Sequence, residues 1–118
     1  MRIAVDAMGG DHAPDEIVRG ALLYRAEGGL ADIILVGRDE SVRAALGTTP
    51  GTGITVVDAR DVVEMHEHPS SELRRRSDTS IGVATELVKR GEAEAVVSAG
   101  NTGATVTSAA LGAKFFRR

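Results

Sequence analysis

Two short strings carry the residue types best suited to chemistry: Ser98-Ala99-Gly100-Asn101-Thr102-Gly103-Ala104 and Asp6-Ala7-Met8-Gly9-Gly10-Asp11-His12-Ala13-Pro14. The first follows an apolar run, Ala93-Glu94-Ala95-Val96-Val97, and opens a stretch of small residues, so it reads as a strand-to-helix turn. Glycines there let the backbone approach a ligand closely. Amides at a helix start lack intrahelical partners and carry the positive end of the dipole, a combination that attracts phosphate or a developing oxyanion. No acid follows in that first turn. Ser98 and Thr102 bring hydroxyl groups, and Asn101 tolerates an unusual backbone conformation. Ser98, Gly100, Asn101, Thr102 and Gly103 are therefore the expected phosphate- or substrate-binding residues. A plain strand-to-helix connection uses the same residue types, so composition alone leaves both readings open.

The second string has the opposite electrostatic character. Asp6 and Asp11 lie close in sequence to Asp15 and Glu16, and that density of acid discourages phosphate. Asp6, Gly9 and Gly10 are expected to form a wall of the cleft, with Asp6 either bonding turn amides at a strand end or serving the chemistry directly. His12 beside Asp11 is a candidate proton donor, because imidazole exchanges protons near neutral pH. Arg74-Arg75-Arg76 reads as a solvated charged face or as a site for phosphate or an acidic carrier protein, since guanidinium binds such groups in bidentate fashion. His66 and His68, with Glu64 and Glu67, lack the ligand framework of a metal site and are expected at the surface. Neither a metal nor a cofactor is expected.

Those strings need elements to position them. Short β-rich runs at Ile3–Ala7, Asp32–Val36, Ile54–Asp58 and Ala95–Ser98 alternate with segments of helical character, an order of βαβαβαβα. The first helix is expected from Pro14 towards Glu27, with Ile17, Val18, Ala21 and Leu22 on one face and Gly28-Gly29 as its stop. A shorter one follows over Asp39–Leu46, and residues 47–53 form a loop. Residues 61–71 read as irregular. Ser77, Asp78 or Thr79 caps a third helix carrying Ile81, Val83, Ala84, Leu87 and Val88 before Gly91, and a last helix starts near Thr102. Parallel strands joined through helices imply a sheet covered on both faces, with ligands at the carboxyl ends of the strands, where both glycine turns fall. Leu111, Phe115 and Phe116 give the final stretch an apolar face without a closing strand, which points to a partial domain or a second chain.

Composition narrows the classes. At 118 residues the chain suits one domain with no internal boundary, and roughly two thirds of its unfolded surface is available for burial. A formal charge of -3 and 3% aromatic residues speak against nucleic acid, which rewards basic surface and stacking side chains. The absence of cysteine removes disulfides and thiolate chemistry and fits a reducing cytoplasm. No long apolar run marks a signal peptide or a membrane span, so a soluble protein is expected.

Together the two glycine strings, with the arginine run and Thr79-Ser80-Ile81 between them, resemble the amino-terminal part of the PlsX family of phosphate acyltransferases. The resemblance runs through all 118 residues and takes in about a third of a family member. It implies a three-layer αβα fold with a mostly parallel sheet, similar to the isocitrate and isopropylmalate dehydrogenases and to phosphotransacetylases, of which this chain is a part. It also implies transfer of a fatty acyl group from acyl carrier protein to inorganic phosphate, giving acyl phosphate for phospholipid synthesis. A homodimer loosely associated with the cytoplasmic membrane is implied as well. Direct attack by bound phosphate on the thioester is the economical mechanism, with no enzyme nucleophile.

Two other classes fit part of the pattern. A nicotinamide-dependent dehydrogenase shares the fold class, but neither glycine string has Gly-x-Gly-x-x-Gly spacing after a first strand, and no ribose-binding acid is placed after it. A non-catalytic anion-binding or dimerisation fragment fits the incomplete end.

Overall fold

A computed structural model of the chain describes residues 1–48, 53–59 and 79–100. Its strands are β1 (Arg2–Asp6), β2 (Asp32–Gly37), β3 (Ile54–Asp58) and β4 (Ala95–Val97), and its helices are α1 (Asp15–Ala26), α2 (Asp39–Leu46) and α3 (Ser80–Lys89). All pairings are parallel and the spatial order is β3-β2-β1-β4. Parallel neighbours need a crossover between them, and the alternation of strands with helices supplies it.

The strand pattern sorts side chains to two faces. On one, Ile33 and Leu35 of β2 pack with Val18 and Ala21 of α1 and Val42 of α2. On the other, Ala4, Ile34 and Val36 pack with Ala84 and Leu87 of α3. Helices therefore lie on both sides of the sheet, giving three layers. Strand β2 is buried from Ile33 to Gly37, as expected for a strand sandwiched between them. The α1 layer stops short of β4 among the described residues, where a groove of about 360 Å³ lined by Ile3, Val5, Ile17, Tyr24 and Val97 stays open and Val97 is 53% exposed.

Element boundaries differ from the sequence expectation by a residue or two. β1 begins and ends one residue earlier than expected, and Ser98 lies just beyond β4. Pro14 is the residue before α1 rather than its first turn, with its carbonyl accepting from the Val18 amide at 2.9 Å. Of the three caps considered for α3, Thr79 takes the role: its hydroxyl accepts from the Gly82 amide at 3.1 Å. The expectations for residues 61–71, for the helix near Thr102 and for Leu111, Phe115 and Phe116 fall outside the described residues.

Candidate functional site at the β1 and β4 strand ends

The chain moves outward from β1 through β2 to β3, then returns to the other side of β1 as β4. The carboxyl ends of β1 and β4 are therefore neighbours where the strand order reverses, the position at which open α/β sheets bind ligands. Both glycine turns sit there.

Register brings them together. Val5 pairs with Val97, so the next residues, Asp6 and Ser98, come side by side. The Ser98 hydroxyl donates to Asp6 Oδ2 at 2.9 Å, and the Gly100 amide donates to Ser98 Oγ at 3.1 Å. Asp6 Oδ1 accepts the Met8 amide at 3.1 Å, while the Gly9 amide closes the turn on the Asp6 carbonyl at 3.4 Å. Asp6 is buried, with 4% of its surface exposed, and hydrogen bonds from both turns replace the water its carboxyl group gives up.

The backbones of the two turns also touch. A Cβ built on Gly9 meets the Gly100 nitrogen at 2.8 Å and Asp6 Oδ2 at 2.9 Å, and one built on Gly100 meets the Gly9 Cα at 3.1 Å. A side chain at either position has to displace main chain. Gly10 adds a left-handed backbone conformation, with φ of +94°.

Of the expected binding residues, the structure thus brings Ser98 and Gly100 against Asp6, Gly9 and Gly10. Two details depart from the sequence expectation. Ser98 has a single hydroxyl proton, and the register directs it to Asp6 rather than outward to a ligand. The Gly100 amide is turned inward onto Ser98 as well. Asp11 and His12 lie exposed in the turn before α1, with no hydrogen bond or ion pair between their side chains among the described residues. Acids Asp15 and Glu16 fill the first turn of α1, whereas the first turn of α3 has none. Asn101, Thr102, Gly103, Arg74, Arg75, Arg76, His66 and His68 lie outside the described residues. Among the described residues no group of three or more His, Asp or Glu side chains is placed to hold a metal ion, and no helix is long and apolar enough to cross a membrane.

Sequence reasoning placed Asp6 in the wall but missed its bond to Ser98. The signal was available once β1 and β4 were taken as neighbours, since an acid ending one strand then meets a hydroxyl ending the next.

A parallel sheet with helices on both faces and two glycine turns in contact at the ends of β1 and β4 defines an α/β protein of three-layer αβα architecture. The chain belongs to the family described as fatty acid synthesis protein, whose model matches residues 1–116. It is 53% identical over 113 residues to the phosphate acyltransferase of Pelotomaculum thermopropionicum, a match covering 95% of this chain and 33% of that protein. Against the phosphate acyltransferase of Desulfitobacterium hafniense it is 53% identical over 114 residues, covering 95% of this chain and 34% of the relative. The chain thus spans about a third of the length of the curated relatives it matches. The crystal structure of a phosphotransacetylase from Streptococcus pyogenes superposes with a TM-score of 0.57 at 23% identity, over 95% of this chain and 37% of that one. That likeness is one of fold.

Proposed function

We propose that this chain forms the phosphate-binding part of a phosphate acyltransferase, which moves a fatty acyl group from acyl carrier protein to inorganic phosphate and yields acyl phosphate for phospholipid synthesis. The observation that carries this reading is the interlock of the two glycine turns at the switch point, in a chain whose relatives bear that name. Ser98 and Gly100 shape the turn, and Asn101, Thr102 and Gly103 supply its contacts to phosphate. A phosphate oxygen attacks the thioester carbonyl carbon, the tetrahedral oxyanion is stabilised by main-chain donors, and the carbon–sulfur bond breaks to release the thiolate. His12 is the candidate donor of the proton that thiolate takes up. Arg74, Arg75 and Arg76 supply positive charge for phosphate or for an acidic carrier protein. The protein works as a homodimer in the cytoplasm, held loosely at the membrane surface.

The test is acyl phosphate formation by the full protein that carries this chain, with phosphate varied against acyl carrier protein thioester. Asn101→Asp and Thr102→Ala are expected to raise the phosphate KM at least about tenfold, the cost of losing a hydrogen bond to a charged ligand. An ordinary phosphate KM in both variants would place the anion elsewhere. Phosphate binding without acyl phosphate formation would instead mark a non-catalytic anion-binding module.

A further inference from the structure

Asp6 is a costly residue to bury. Two residues earlier on the same face of β1, Ala4 fills its place with a methyl group and no desolvation cost. A carboxyl group held 4% exposed survives only if its oxygens are well bonded, and here each oxygen serves a different turn: Oδ1 the Met8 amide of the first and Oδ2 the Ser98 hydroxyl of the second. Because Ser98 spends its one proton on Asp6, its oxygen is left as an acceptor, and the Gly100 amide takes it at 3.1 Å. The position of the Gly100 amide is therefore set, through Ser98, by an acid 92 to 94 positions earlier in the chain.

We propose that Asp6 is a positioning residue for phosphate: by orienting the Ser98 hydroxyl it holds the turn from Ser98 to Gly100 in place at the ends of β1 and β4, without touching the anion itself. The proposal rests on the phosphate reading of that turn. Gly9 supports it, since its missing side chain is what lets the two turns come close enough for the Asp6-Ser98-Gly100 chain of bonds to form.

The experiment is a double-mutant cycle of Asp6→Asn and Ser98→Ala in the full protein, reading the KM for inorganic phosphate, kcat and the melting temperature. Asparagine keeps the size of Asp6 but cannot accept on both sides, and alanine removes the hydroxyl relay. Each single variant is expected to raise the phosphate KM about tenfold with a smaller change in kcat, and the double variant to match the singles, because both cut one chain of bonds. Ser98→Thr, which keeps the hydroxyl, is expected to restore most of the affinity. Should Asp6→Asn fail to fold, Ser98→Ala against Ser98→Thr carries the test. Independent, multiplying effects in the double variant would overturn the proposal, as would an unchanged phosphate KM accompanied only by a lower melting temperature. Absence of phosphate saturation in the unmodified protein would overturn the phosphate reading itself, and this proposal with it.

Discussion

Gly9 has no room for a methyl group. The atoms that a Cβ would meet at 2.8 to 3.0 Å are the Gly100 nitrogen and Cα and the Asp6 carboxyl oxygen, none of them the loose end of a flexible side chain. Gly9→Ala is therefore expected to push the two turns apart at a cost of about 1–3 kcal/mol, the usual penalty for overfilling packed structure, read as a shift in the urea midpoint at constant m-value. Gly20 makes the contrast. It lies in α1 with nothing within 4 Å of a built Cβ, so Gly20→Ala is expected to add roughly 0.5–1 kcal/mol of stability through helix propensity alone. Equal losses at both positions would mean that the contact between turns does not matter. The glycines themselves were legible in the sequence as turn residues. Which backbone each one approaches was not, because that depends on the strand β1 chooses as its neighbour.

At the scale of elements, caps show what one-dimensional pattern can and cannot reveal. Thr79 precedes α3 in the usual capping position, and its hydroxyl accepts the Gly82 amide. Thr79 is also fully buried, so water cannot replace the lost oxygen. Thr79→Ala is expected to cost about 1–2 kcal/mol, with Thr79→Ser recovering most of it, as followed by urea unfolding. A loss in Thr79→Ser as large as in Thr79→Ala would assign the effect to the methyl group instead of the cap. Helix α2 has no cap of this kind: Arg38 precedes it without a capping hydrogen bond, and the Asp39 amide is met by Asp58 Oδ1 at 2.9 Å, from the end of β3. Periodicity sufficed to find α2 over Asp39–Leu46, yet its cap lies 19 positions away and no local pattern announces it. The Asp6–Ser98 bond was hidden for the same reason over a longer separation.

For the whole molecule, alternating strands and helices with continuously apolar strands made a parallel, two-sided sheet legible. The order β3-β2-β1-β4 was not, since hydrophobic pattern assigns a residue to a face without naming the neighbouring strand. That order nevertheless decides which turns meet, because it alone puts the ends of β1 and β4 side by side. Net charge gives an anion no help: at a formal -3 the chain as a whole does not attract phosphate, so binding has to come from the local site. A ligand that binds the folded state alone stabilises it by mass action, about 1.4 kcal/mol when present at ten times its Kd. For a protein about three times the length of this chain, as its relatives are, that corresponds to a rise of roughly 2 °C in melting temperature. Inorganic phosphate is therefore expected to raise the melting temperature of the full protein in a saturable way, and Asn101→Asp to remove the rise, because a carboxylate placed at the anion repels it. A non-saturating rise shared equally by the variant would reduce phosphate to a general salt effect. The switch-point crevice would then be an interlock of two turns that fixes the fold, with the anion bound elsewhere.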